Sequence, residues 1–157
     1  MRVYADTSFV VKLLAREPGT EAALAGYRRL GRPSLAFLPL HALEAENAIR
    51  ARAFHRRHSA GPNQRAHISR EETAALQRLE LFVSRGLLVE TPADWDAACS
   101  RASQLSRRHT GTTGAKSLDL LHVAFALEFE AEVFLSTDQC QAKVATAEGL
   151  EVIVVGD

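Results

Sequence analysis

Cysteine is scarce: two in 157 residues, Cys99 and Cys140, far apart and in neither metal nor redox spacing, which sets aside cysteine–metal and thiol-redox chemistry. No run approaches the roughly 18 apolar residues a membrane span needs, and Arg2 leads at once into a strand-like segment rather than a secretory leader. Net charge is absent as well, with nineteen basic and nineteen acidic residues. With 46% hydrophobic and 24% charged residues the composition is that of a globular chain, neither disordered nor fibrous. At roughly 100–200 residues per domain, the expectation is one soluble cytoplasmic domain over 1–157, with a core of its own.

Lysine is the other scarcity, three against sixteen arginines. The basic residues are also unevenly placed. Residues 47–70 hold six arginines, three histidines and no acid, and 97–118 hold Arg101, Arg107, Arg108 and Lys116, again with no acid. Arginine's planar fork suits bidentate phosphate contact. Genomic composition bias, which raises Ala, Arg and Leu together, explains the same counts.

Short β-rich runs alternate with longer helical ones. Strands are expected at 2–5, 34–38, 86–91, 132–136 and 151–155, and helices at 8–16, 20–30, 40–57, 70–85, 92–108, 117–130 and 139–147. Residues 59–69, with Gly61-Pro62-Asn63, read as a loop, and so does the glycine–threonine stretch 109–116. Five strands separated by helices imply an α/β fold, a five-stranded parallel sheet in a three-layer α/β/α sandwich. Trp95 and the phenylalanines read as core, and the two cysteines as small buried hydrophobes.

In such a sheet the strand C-termini share an edge, and ligands bind outside it. Asp6 follows the first strand, Glu44 lies one turn into the helix after the second, Asp138 follows the fourth, and Asp119 opens the helix that feeds the fourth. Each has a plainer role: Asp6 and Asp138 stand where helix N-caps belong, and Asp119 complements a helix dipole behind Ser117. Four caps need not converge, however. Clustered carboxylates repel unless a cation neutralises them, and hard oxygen ligands suit Mg²⁺ or Mn²⁺. Glu46 and Arg50 form an exposed i,i+4 pair, whereas Glu44 falls on the stripe with Leu40, Leu43, Asn47, Ala48 and Ala51, read as the inward face. Glu44 is therefore taken for the site and Glu46 for the surface.

Four segments together carry a resemblance. Ala5-Asp6-Thr7-Ser8, Glu44-Ala45-Glu46-Asn47-Ala48-Ile49, Asp119-Leu120-Leu121-His122-Val123-Ala124 and Ser136-Thr137-Asp138 resemble, in order and spacing, the motifs of the PIN-domain ribonucleases, and among them the VapC-type toxins of bacterial toxin–antitoxin pairs. The resemblance implies that Asp6, Glu44, Asp119 and Asp138 are the catalytic, metal-binding acids, supported by Thr7, Ser8, Asn47 and Thr137. It further implies a Mg²⁺- or Mn²⁺-dependent endoribonuclease using metal-activated water, with an RNA substrate, a homodimer and a cognate antitoxin. Arg50, Arg56 and Arg57, continuing the Glu44 helix, could track the phosphate backbone. His122, one turn after Asp119 on an apolar helix, reads as a packed, hydrogen-bonded histidine.

Other readings meet direct obstacles. The stretch Gly111–Ser117 ends Gly-Ala-Lys-Ser, with Ala115 between glycine and lysine and no strand before it, so it is no P-loop. A dehalogenase-type phosphatase needs a second aspartate two residues after Asp6, where Ser8 stands, and a receiver domain needs one after the third strand, where Thr91-Pro92 stands. A catalytically silent PIN-like binding module and a housekeeping RNA-processing nuclease both stay open.

Overall fold

The computed structural model describes residues 1–154, which form two compact units, 1–9 with 91–154, and 10–90. All strand pairs are parallel, as expected of an α/β chain, but the strands form two sheets rather than one of five. Residue 155, the end of the expected last strand, lies outside the described residues.

In the first unit, β1 (Val3–Ala5), β4 (Val133–Ser136) and β5 (Glu151–Val154) pair in the order β1-β4-β5. Every residue of the central strand β4 is buried, so both its faces are covered, as parallel strands require. Helix α7 (Ser117–Glu128) buries Leu120, His122, Val123, Ala124, Phe125 and Ala126. Aromatic contacts surround this core: Tyr4 stacks on Phe134 at 5.9 Å between ring centroids, and the buried Phe125 meets the exposed Trp95 edge-on at 4.9 Å. Helix α5 (Trp95–Leu105), capped by Asp94, and α8 (Gln139–Ala147), capped by Asp138, complete the unit.

The expected loop at 109–116 is mostly helical. A π-helical turn, Ser106–Thr110, follows α5 and leads into the short α6 (Gly111–Thr113). Two forces hold it. His109 Nε2 and Arg108 Nη1 both reach Glu148 Oε1, at 2.6 and 3.0 Å, and the hydroxyls of Thr112 and Thr113 donate back to the His109 carbonyl. The helix stops at Gly114, whose φ of +70° suits glycine.

The second unit pairs β2 (Leu35–Phe37) with β3 (Leu88–Glu90) and carries α2 (Thr20–Arg29), α3 (Pro39–His58) and α4 (Pro62–Ser84), with most of α1 (Thr7–Leu14). The loop expected at 59–69 is corrected here: α4 begins at Pro62. Proline at the first helical position gives up an N–H that has no partner there anyway, and Ile68 extends the buried stripe of Ala75 and Leu79 by two turns. The longer helix brings carboxylates to arginines that have no acid near them in sequence. Arg56 Nη1 meets Glu71 Oε2 at 2.6 Å and Arg57 pairs with Glu72, both acids on α4, while Arg52 reaches Glu17 Oε2, ahead of α2, at 2.6 Å. Glu71 is held below its ordinary pKa, first by the hydrogen bond from Arg56.

Several expected core residues are not core. Trp95 and Phe54 are 38% and 58% exposed, Cys99 is exposed and Cys140 half-buried. Phe54 lies on α3 with its ring against those of His55 and His58, at 5.4 and 5.8 Å between centroids.

Candidate active site

Strand ends and helix starts place the acids. β1 ends at Ala5, and Asp6 sits between it and α1, its backbone N–H still on the strand ladder to the Leu135 carbonyl at 2.9 Å. Its carboxylate is fully buried and met by three donors. Phe9 N–H donates to Oδ1 at 2.9 Å, Ser136 Oγ to Oδ2 at 2.7 Å, and Ser8 Oγ lies 2.7 and 2.9 Å from the two oxygens. Burial pushes the Asp6 carboxyl above its ordinary pKa, against the pull of His122 and of these hydrogen bonds.

Asp138 is tied to the same place. Its backbone N–H donates to Ser136 Oγ at 2.8 Å, while its Oδ1 accepts from the N–H groups of Cys140 and Gln141 at 2.6 and 2.9 Å, capping α8. Thr137 contributes through its backbone, whose N–H donates to Ser8 Oγ at 3.0 Å. Asp119 accepts at Oδ2 from Lys116 N–H at 2.7 Å, at the start of α7, and at Oδ1 from Gln141 Nε2 at 3.2 Å. All three aspartates thus serve as helix caps, and a single chain of polar groups links them: Asp6, Ser136, Asp138, Gln141, Asp119. The capping and clustering roles coexist.

Thr7 faces elsewhere. Its Oγ1 lies 3.2 Å from His122 Nε2, and Tyr4 OH lies 2.8 Å from His122 Nδ1, all three groups buried. His122 therefore fastens α7 to both sides of Asp6. It is the packed, hydrogen-bonded histidine its setting suggests.

Glu44 and Asn47 lie on α3 of the second unit, Glu44 half-buried and Asn47 exposed. The inward face expected for this helix is corrected. Leu43 is 70% exposed and Ala48 exposed, whereas Leu40, His41, Ala45, Ile49 and Ala53 are buried. The stripe at 41, 45, 49 and 53 follows i,i+4 spacing from the anchor Ile49; small alanines elsewhere add little burial and mislead the pattern. Arg50 pairs with Glu46 at 2.7 Å, as the i,i+4 spacing suggests.

Two residues of this hydrogen-bonded chain have no role in the motif reading: Gln141 lies outside the motifs, and Ser136 stands in one only as the neighbour of Asp138. Each leaves a signal in sequence: Ser136 is the one polar residue of an otherwise apolar buried strand, and Gln141 shares the i, i+3, i+4 buried stripe of Val144 and Ala145.

The PIN domain family profile matches residues 3–147. The chain belongs to the PIN domain family. PIN domains are generally metal-dependent nucleases. Two solved structures share the fold: FitAcB from Neisseria gonorrhoeae, 14% identical over 96% of each chain with a TM-score of 0.61, and PAE2754 from Pyrobaculum aerophilum, 19% identical over 97% of this chain and 89% of that one with a TM-score of 0.50. No curated protein matches the chain. No described helix is long and apolar enough to cross a membrane.

PIN domains generally use divalent metals, and the donor chemistry of this one suits such an ion: three hard carboxylates, with no lysine or arginine side chain among their hydrogen-bond donors in the described residues. Among the described residues, no three His, Cys, Asp or Glu side chains are gathered into a ready-made metal cage.

Proposed function

We propose that this PIN domain is an endoribonuclease that hydrolyses RNA phosphodiesters with Mg²⁺ or Mn²⁺, and that it is the toxin of a toxin–antitoxin pair. The observation that carries the reading is Asp6, a carboxylate with no solvent exposure whose three donors are all neutral. A buried charge needs a counter-charge, and a divalent cation is the one the family employs.

Asp6, Asp119 and Asp138 would hold the cation, with Glu44 as the fourth acid of the motif set; when bound, the cation supplies Lewis-acid activation of water and stabilises the leaving oxygen. The protein's own part is orientation. Ser8 and Ser136 lock the Asp6 carboxylate between β1 and β4, the α8 N-terminus locks Asp138, and Lys116 N–H with Gln141 locks Asp119. Asn47, on α3 with Glu44, would be a supporting hydrogen-bonding group.

The test is cleavage of a structured RNA pool by metal-stripped protein, before and after Mn²⁺ or Mg²⁺ is restored. Cleavage only with metal supports the reading. RNA binding without cleavage in either condition favours a silent PIN-like module. An antitoxin partner belongs to the proposal through the resemblance of the four motifs to those of the VapC-type toxins. Co-purification of a second small protein from the native host would identify that partner, and analytical ultracentrifugation would show whether the chain forms the proposed homodimer.

Arg50, Arg56 and Arg57 belong to the proposal as phosphate contacts, although each is paired with a glutamate. Exposed pairs contribute little and exchange partners readily. The double change Arg56→Gln and Arg57→Gln is expected to lower the slope of log affinity against log salt by about 1.4, at roughly 0.7 per phosphate contact on single strands. An unchanged slope would leave these arginines as ties between α3 and α4 alone.

A further inference from the structure

Gln141 holds two of the acids at once. Its backbone N–H donates to Asp138 Oδ1 at 2.9 Å, and its side-chain Nε2 donates to Asp119 Oδ1 at 3.2 Å. The side chain is 6% exposed, and its other polar atom, Oε1, has no hydrogen-bond partner among the described residues. The orientation of the carboxamide is not arbitrary: turned over, it would set its oxygen against the Asp119 carboxylate, acceptor against acceptor.

A buried acceptor without a donor is costly, and other buried groups around it are satisfied. The amide bond lengths put this oxygen roughly 2.2 Å from the nitrogen that touches Asp119, so the orphan acceptor belongs to the carboxylate centre. What satisfies it must donate a hydrogen bond or carry positive charge beside two carboxylates. A hydrated divalent cation does both.

We infer that Gln141 is a positioning residue of a divalent-cation site, fixing Asp119 and Asp138 through its two N–H groups and offering Oε1 as acceptor to the water shell of the bound cation. This rests on the metal-dependent reading above and assigns a fifth, uncharged group to it. Outer-shell hydrogen-bond partners of this kind orient the ligating carboxylates, and their loss costs 10–100-fold in metal affinity.

The test is calorimetric titration of metal-stripped wild type, Gln141→Met and Gln141→Glu with MnCl₂. Methionine keeps the length and burial but has neither the amide donor nor a strong acceptor; glutamate restores the oxygen but not the donor to Asp119. Gln141→Met is expected to bind Mn²⁺ about tenfold or more weakly than wild type, and Gln141→Glu to fall between the two while melting lower in EDTA, where its charge repels Asp119. Equal affinity of wild type and Gln141→Met would overturn the inference, leaving Oε1 to a buried structural water. A loss in Gln141→Met not even partly regained in Gln141→Glu would also overturn it, because the restored oxygen would then have no part in binding and the defect would lie in packing. If wild type takes up no Mn²⁺, the metal-dependent reading falls and this inference with it.

Discussion

Asp6→Asn is expected to lower Mn²⁺-dependent RNA cleavage by at least about 100-fold and to raise the melting temperature of the metal-stripped protein at pH 7. The two effects have one source. Burial raises the Asp6 carboxyl above its ordinary pKa of 3.8, so folding penalises its ionised form. The stability this group contributes is full below the unfolded value and is lost as pH rises through the raised folded value. At neutral pH the buried charge is thus a cost of folding that asparagine removes, keeping the shape and the acceptor for Phe9 N–H. A cation removes the same cost by supplying opposite charge. Calorimetric melting should accordingly show a larger Mn²⁺-induced rise for wild type than for Asp6→Asn. Protons compete for the same oxygens, so Mn²⁺ affinity should begin to fall on acidification at a pH above the usual aspartate range. Identical melting of the two proteins in EDTA would mean that Ser8, Phe9 and Ser136 fully offset the burial.

His122→Leu carries the second large effect. The ring bridges Tyr4 OH and Thr7 Oγ1, one residue either side of the Ala5-Asp6 pair, in a site with almost no solvent. Leucine fits the apolar surroundings but takes a hydrogen bond from each hydroxyl, at about 1–3 kcal/mol for each buried group left short of a partner. The expected loss of stability is about 2–4 kcal/mol by urea unfolding. His122→Gln, which can both donate and accept, should recover part of it. A loss below about 0.5 kcal/mol would show that the hydroxyls find other partners.

Much of this was readable from residue order. Turn residues and period marked the strands and most helices, because β1, β4 and α8 are bounded by residues whose local chemistry agrees with the tertiary structure. The failures have physical causes. Pro62 breaks a helix interior but starts one equally well, and only Ile68 distinguished the two. The Gly111–Thr113 stretch is helical because Glu148, far along the chain, anchors His109 and Arg108. The split of the strands into two sheets depends on pairings no local pattern records. In the centre, Asp6, Asp119 and Asp138 were legible as carboxylates after strands or at helix starts. The roles of Ser136 and Gln141 are not legible in sequence, because they lie in hydrogen bonds to Asp6 and Asp119, 130 and 22 positions away. The arginines of 47–70 looked unopposed for a similar reason: Glu71 and Glu72 are neighbours only once α4 folds back on α3.

The central claim is that the aspartates of the first unit hold a divalent cation on which RNA cleavage depends. Its most direct test is uptake of Mn²⁺, read from the paramagnetic resonance of the free ion, by metal-stripped wild type and by the triple variant Asp6→Asn, Asp119→Asn, Asp138→Asn. Wild type is expected to bind Mn²⁺ and to cleave RNA as it does so, and the triple variant to do neither while remaining folded. Equal uptake by both proteins, or cleavage surviving in the variant, would contradict the account.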